Sequence, residues 1–389
     1  MVHLGRRRHN PGSVGRGGQR RALHQSPAAG RAPVGFGGDA QHGITLTADL
    51  FHSSTLPDFT PVADPLPKPI PARIPGLTGS ILAVRAGRTG KLRAMHPPVR
   101  LVAIDVDGTL LPNIGHDIPW RTARALEAAE QAGIHVVIAT GRRTAFTVPL
   151  LARTKLRADT FLITSNGAVL RTLGGQLIDR SHMAPVVARS LASLLRPYGC
   201  MVFTFDRPGD RELVLENLEE AHGRIALWID ANRSSIEVVR PLEDAFPETT
   251  DEDRIPIQGM VAGTVAQMRA AEAAIHNSPL AAQCSCARTE YPARDLSILD
   301  LLPLGVSKGV ALRKLARRLG VDPREVMAIG DNWNDVEMLE FAGQPVIMGN
   351  AAPELRVHAR TLGWRQAPPN DQEGVAVTLD SVLSRLASA

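Results

Sequence analysis

From Arg100 onward, apolar residues gather into short uninterrupted runs, and each run ends abruptly in polar residues. Leu101-Val102-Ala103-Ile104 passes into Asp105-Val106-Asp107-Gly108-Thr109, and His135-Val136-Val137-Ile138-Ala139 into Thr140-Gly141-Arg142. Thr160-Phe161-Leu162-Ile163 passes into Thr164-Ser165-Asn166-Gly167, and Val326-Met327-Ala328-Ile329 into Gly330-Asp331. Runs of this length without polar alternation predict strands buried on both faces, as in a parallel sheet. Helical stretches lie between them. One covers residues 120–132 and is closed by Gly133. Another begins at Ser307, a residue suited to capping, and places Leu312, Leu315, Ala316 and Leu319 on one face before Gly320 ends it. Strand and helix in alternation predict a doubly wound, Rossmann-like parallel α/β sheet. Ligands in such sheets bind beyond the carboxyl ends of the strands. Four strands that each end in a polar cluster therefore point to one site.

The pattern changes between residues 181 and 292. Strand-like runs at 200–205, 225–229 and 235–239 accompany a helical stretch at 264–276. More than a hundred residues of this mixed texture are enough for a domain. The expected organisation is a core in two parts, 97–180 and 293–389, interrupted by an inserted unit at 181–292.

Residues 1–96 fit neither pattern. They are rich in Arg, Gly and Pro, with prolines every few residues from Pro57 to Pro75. Such a segment buries too little apolar surface to offset its ordering entropy, so disorder is expected. It is acid-poor, as targeting peptides are, but lacks the single apolar stretch of a secretory signal. It could also be a solvated or polyanion-binding tail. A fourth reading is an upstream extension outside the working protein, with Met95, just ahead of the first strand, as the true start.

Composition narrows the function classes. The 389 residues are 44% hydrophobic and 21% charged, and the mean hydropathy is −0.05. No run approaches the ~18 apolar residues that span a bilayer. Three cysteines, Cys200, Cys284 and Cys286, make no disulfide framework and no zinc spacing. With no secretion signal, they suit a cytoplasmic protein. The net charge of +5 invites a nucleic-acid partner. However, residues 1–100 carry 14 Lys and Arg against 4 Asp and Glu, whereas residues 101–389 carry 30 against 35. The folded part is mildly acidic, which argues against nucleic acid there.

The strand ends carry the chemistry. Asp105 and Asp107, two apart on an extended chain, project to one face and would repel each other without a cation, a shared proton or a role. Gly330-Asp331-Asn332-Trp333-Asn334-Asp335 adds two more carboxylates, although a plain turn capping a helix at 336–342 would use the same residues. Together these oxygens suit Mg²⁺, a hard ion usually held by one or two carboxylates and a substrate phosphate. Lys308, in the first turn of its helix, opposes the helix dipole unless an anion holds it there. A phosphate monoester fits this balance of charge, and a carboxylate is a competent nucleophile toward phosphorus.

In this order, Asp105-Val106-Asp107-Gly108-Thr109-Leu110, Thr140-Gly141-Arg142, Ser307-Lys308-Gly309 and Gly330-Asp331-Asn332-Trp333-Asn334-Asp335 resemble the four motifs of the haloacid dehalogenase superfamily. The similarity, over about residues 100–180 and 295–380, is greatest to the Cof-type phosphatases. Those enzymes insert a large α+β cap between the second and third motifs. Ser165-Asn166-Gly167-Ala168, Met348-Gly349-Asn350-Ala351 and Glu373-Gly374-Val375-Ala376 resemble further segments of that subfamily. The resemblance implies Asp105 as nucleophile and Asp107 as general acid and base. It implies Mg²⁺ on the Asp105 side chain, the Asp107 backbone carbonyl and Asp331. Thr140, Gly141, Lys308 and Asn334 would bind the phosphate, with Lys308 also catalytic and Asp335 supporting from behind.

The expected activity is Mg²⁺-dependent hydrolysis of a small phosphorylated metabolite through an aspartyl phosphate. A phosphomutase or phosphotransferase on the same scaffold is the alternative, and a non-catalytic sensor of such metabolites is a further one. The insert would select among a sugar phosphate, nucleotide, flavin or pyridoxal phosphate. Its polar residues Arg207, Asp210, Arg211, His222 and Arg224 read as solvated surface, and Phe203, Phe205 and Trp228 as core or as a stacking wall. Trp333 reads as packing beneath the next helix or as a shield over the site, and Gly363-Trp364-Arg365 interrupts the expected last strand.

Overall fold

The computed structural model describes residues 97–388 apart from 113–116, 208–210, 222–224 and 292–293. The expectations for the N-terminal 96 residues, and for Asp210, His222 and Arg224, lie outside the described residues.

Two sheets organise the chain. The first takes β1 (Leu101–Ile104), β2 (His135–Ala139), β3 (Phe161–Thr164), β4 (Val169–Thr172) and β5 (Leu177–Arg180). The chain then builds a second sheet from β6 (Met201–Thr204), β7 (Leu213–Leu215), β8 (Ile236–Val238), β9 (Gln258–Gly263), β10 (Cys284–Tyr291) and β11 (Leu296–Pro303). It returns to the first with β12 (Val326–Gly330), β13 (Gln344–Ile347) and β14 (Arg365–Gln366). The first sheet runs β14-β13-β12-β1-β2-β3-β4-β5, parallel from β14 to β3, with β4 and β5 added antiparallel. The doubly wound core expected from the apolar runs is present.

Alternation in β1 shows why its run has no polar position. Val102 and Ile104 pack with the helices Trp120–Gln131 and Gly374–Ala387, and Leu101 and Ala103 pack with Lys308–Leu319 on the other face. Both faces are covered, so every residue is buried. β14, in the stretch broken by Gly363-Trp364-Arg365, is a two-residue exposed edge.

The second sheet has strand order β10-β11-β9-β6-β7-β8. One face packs Phe203, Phe205, Val261 and Leu299 against the helices Pro185–Leu195 and Val265–His276. Phe203 and Phe205 are therefore core.

Two expectations are corrected. The apolar run at 225–229 is not a strand: Ala226–Asn232 is a helix. Ile225 and Ile229 lie one helical turn apart and are buried, while Leu227 is exposed, so the run follows helical periodicity. The return to the core also comes later than residue 293. β11 pairs with β10 over its whole length, from Cys284↔Pro303 to Tyr291↔Leu296, and with β9 on its other side. The second sheet therefore extends to Pro303.

Candidate active site

The carboxyl ends of β1, β2, β3 and β12 converge as the polar strand ends suggested. Pairing in register (Ile104↔Ile329 and Ile104↔Ile138) brings the loops after β1, β12 and β2 to one level. The chain turns sharply after Asp107 at Gly108, whose φ of +83° is left-handed. A Cβ there would lie 2.2 Å from Asp331 Oδ2, so only glycine lets the two acidic loops meet. The Thr109 hydroxyl donates to Asp331 Oδ1 at 3.0 Å, and the Asn350 side-chain amide donates to the Gly108 carbonyl at 2.8 Å.

Lys308 is the centre of the charge arrangement. It is 1% exposed, and its Nζ donates to Asp105 Oδ1 at 2.6 Å and to Asp335 Oδ1 at 2.7 Å. These anions explain a cation in the first turn of a helix. Asp335 also holds the turn after β12, its Oδ2 accepting from the Asp331 and Asn332 backbone amides. Asp335 thus holds this turn with one oxygen and meets Lys308 with the other. Carboxylate oxygens of Asp105, Asp331 and Asp335 lie within 4.8 Å of one another, all buried. An oxygen-only set of this size suits a hard divalent cation.

Asp107 takes a different partner. Arg142, at the end of β2, grips it with both arms, Nε to Oδ2 at 2.8 Å and Nη2 to Oδ1 at 2.6 Å. Asp105 and Asp107 thus relieve their mutual repulsion through separate cations. Thr140 is fully buried, its hydroxyl accepting the Arg142 amide at 3.1 Å, while Gly141 faces the cavity and packs on Asn166. Asn334 lines the cavity and donates to Asn166 Oδ1 at 3.1 Å. Trp333 packs with the core beside His358, so its packing reading holds.

The protonation landscape follows from burial. Burial pushes the Asp105 carboxyl up, and Asp335 adds to this while Lys308 opposes it, leaving it at about 7. Asp331 is raised well above the ordinary range by burial and then by Asp105 and Asp335. Burial also acts on Asp107, but the charge and hydrogen bonds of Arg142 outweigh it and hold that carboxyl low. Lys308 resists the downward pull of burial because Asp105 and Asp335 raise it.

A cavity opens above these groups. Asp105, Asp107, Gly141 and Asn334 lie at its floor, and one face of the second sheet forms a wall. Alternate residues of that sheet point inward: Val202 and Thr204, Gln258 and Met260, Thr289 and Tyr291, Ile298 and Asp300. Trp228 reaches the cavity from its helix, so of the three aromatics considered it alone is a wall residue.

Comparison with known proteins agrees with this geometry. A profile describing haloacid dehalogenase-like hydrolases matches residues 102–379. The chain belongs to this family. Within it, the similarity is to the Cof type, and the enzyme is a phosphoric monoester hydrolase. The HMP-PP phosphatase of Cronobacter sakazakii is 30% identical over 258 residues, 66% of this chain and 86% of that protein. The 5-amino-6-(5-phospho-D-ribitylamino)uracil phosphatase YwtE of Bacillus subtilis is 30% identical over 302 residues, 74% and 99% of the two chains. A haloacid dehalogenase-like hydrolase structure from Bacteroides thetaiotaomicron shares the fold, with a TM-score of 0.59 and 24% identity over 73% of this chain and 99% of that one. No helix among the described residues is long and apolar enough to cross a membrane.

Several residues at the site had no role assigned from sequence. Arg142 stands in a quoted motif, but its hold on Asp107 needs the β1 and β2 loops side by side. Asn166, in the left-handed conformation (φ 51°), joins Asn334 to Asp300. Asp300 left a signal: it is the lone carboxylate in the apolar run Leu296–Pro303.

Proposed function

We propose that the protein is a Mg²⁺-dependent phosphatase of a small phosphorylated metabolite, acting through an aspartyl phosphate on Asp105. The observation that carries this reading is the Lys308 bridge. A buried ammonium orients Asp105 at the cavity floor, beside two further carboxylates suited to a divalent cation. Asp105, Asp331 and the Asp107 backbone carbonyl would hold Mg²⁺, with Asp335 supporting them. When bound, the ion neutralises charge on the transferring phosphoryl group.

In the first half-reaction an Asp105 carboxylate oxygen attacks phosphorus, the ester P–O bond breaks, and the leaving oxygen takes a proton from Asp107. In the second, Asp107 accepts a proton from the attacking water, the bond between phosphorus and Asp105 breaks, and inorganic phosphate leaves. Arg142 keeps Asp107 ionised, the form that accepts a proton. Donation needs the protonated carboxyl, so the pair opens when substrate enters. Lys308, Thr140, Gly141 and Asn334 position the phosphate. The second sheet and its helices act as the cap, excluding water and selecting the leaving group. The metabolite-type site supports a cytoplasmic setting.

Phosphate release with Mg²⁺ across sugar phosphates, nucleotides, flavin mononucleotide and pyridoxal phosphate tests this. Release is expected to vanish in Asp105→Asn and with chelator. Release that persists in a folded Asp105→Asn variant overturns the nucleophile assignment.

A further inference from the structure

Two segments singled out in the sequence, 348–351 and 373–376, line no part of the cavity. They lie in the loops that follow β13 and lead into the helix Gly374–Ala387. Between these loops and the turn that carries Asp107 runs a short chain of hydrogen bonds. Asn350 Nδ2 donates to the Gly108 carbonyl at 2.8 Å, and Asn350 Oδ1 accepts from the Asn370 backbone amide at 3.0 Å. Asn370, 3% exposed, then donates from its Nδ2 to the Leu111 carbonyl at 2.7 Å. A carbonyl only accepts and a backbone amide only donates, so these partners fix which way each side-chain amide faces. The two loops meet closely, since a Cβ on Gly349 would lie 2.9 Å from the Pro369 nitrogen. The turn is also closed on itself, the Leu111 amide donating to the Val106 carbonyl at 3.0 Å.

The two aspartates after β1 are therefore held in different ways. Asp105 still belongs to the sheet: its backbone amide donates to the Ile329 carbonyl at 3.0 Å, and its side chain meets Lys308. Asp107 has left that ladder, and the chain bends there and at the left-handed Gly108. Its side chain rests on Arg142, an ion pair that has to open before the carboxyl can give a proton to a leaving oxygen. Once the pair opens, the place of Asp107 depends on the backbone of its turn. Asn350 and Asn370 tie that backbone at Gly108 and Leu111, from outside the cavity.

We propose that Asn350 and Asn370 are positioning residues for Asp107, holding its turn in place while Arg142 has released the carboxyl. They act through the backbone and touch no substrate. This role rests on the phosphatase reading above and concerns the proton transfer of its first half-reaction. Misplacing a reacting group by about 1 Å can cost about a hundredfold in rate. The cost falls on esters whose leaving oxygen needs a proton, whereas p-nitrophenolate departs as the anion.

The test compares kcat/KM for p-nitrophenyl phosphate with that for the fastest alkyl ester among sugar phosphates, nucleotides, flavin mononucleotide and pyridoxal phosphate. The full chain is used, with Mg²⁺. This parameter covers the steps up to departure of the leaving group, so hydrolysis of the aspartyl phosphate, common to all esters, does not enter. Asn350→Ala is expected to lower the alkyl value by about thirtyfold or more and the aryl value by about threefold or less. Asn370→Ala is expected to show the same selectivity. An equal loss on both esters overturns the proposal, because it would make the asparagines general supports of the loop. Wild-type values on both esters overturn it as well. If Asn350→Ala does not fold, Asn370→Ala carries the same comparison, and failure of both to fold makes the pair structural and overturns the proposal. A wild type that cleaves p-nitrophenyl phosphate and no alkyl ester overturns it and leaves the phosphatase standing, since no acid then assists departure. Release from no ester removes both.

Discussion

At the scale of single residues, the site depends on which cation each carboxylate owns. Lys308→Met strands Asp105 and Asp335 without their buried partner. Breaking a buried pair costs about 3–5 kcal/mol, so a fall in chemical-denaturation stability of that order is expected, together with loss of turnover. A variant as stable as the wild type would mean that the bridge is not formed in solution. Arg142→Gln releases Asp107 from the charge that holds its carboxyl low, leaving burial to push it upward. The limb of the kcat/KM profile governed by this group is therefore expected to move to higher pH. An unmoved limb would show that Asp107 is not the titrating base. Arg142 stood in a quoted motif, yet its service to Asp107 joins residues 35 positions apart, and no local pattern records such a pair.

Elements carry the next level of specification. The apolar runs of β1, β2, β3 and β12 were legible because burial on both faces leaves no polar alternation. The run at 225–229 was read as a strand and is a helix. Five apolar residues satisfy either period, and only packing of Ile225 and Ile229 on one side, with Leu227 outside, decides it. The segment from residue 293 was expected in the core, but β11 pairs as a hairpin with β10 and with β9 on its other side, a choice of partners that no local pattern records. Turns show the tightest coupling of element to site. Gly108→Ala introduces a Cβ against Asp331 at a left-handed φ. A loss of at least about 1 kcal/mol of stability is expected, with weaker Mg²⁺ binding by calorimetry. Unchanged affinity would show that the two acidic loops need not touch.

For the whole molecule, the three converging carboxylates couple folding to metal and pH. Asp105, at about 7, and Asp331, also raised well above the ordinary range, hold protons in the fold that the unfolded chain has already lost. A raised carboxyl stabilises the fold below its folded pKa and loses that contribution as pH rises through it. Metal-free protein is thus expected to lose this stabilisation as pH rises through about 7, while a divalent cation needs the ionised carboxylates. The rise in Tm on adding Mg²⁺ should be small near pH 5.5 and large near pH 8. An increment independent of pH would place the ion elsewhere. The insert is tied to the core by ion pairs as well: Arg143 reaches Glu212 and Arg171 reaches Asp206 in largely buried pairs, and Arg180 reaches Asp206 as well as the exposed Glu252 and Asp253.

The sequence by itself determined the doubly wound core, the four polar strand ends and the presence there of Asp105, Asp107, Lys308, Asp331 and Asp335. Those features follow from local periodicity and from residue types that chemistry restricts. Tertiary structure alone decided the partners: Lys308 with Asp105 and Asp335, Arg142 with Asp107, β11 with β9, and Asp300 with Gln258 and Asn166. Each of these joins segments far apart in the chain. Their pairing is set by which faces the fold buries together, and that information is not local to any stretch of residues.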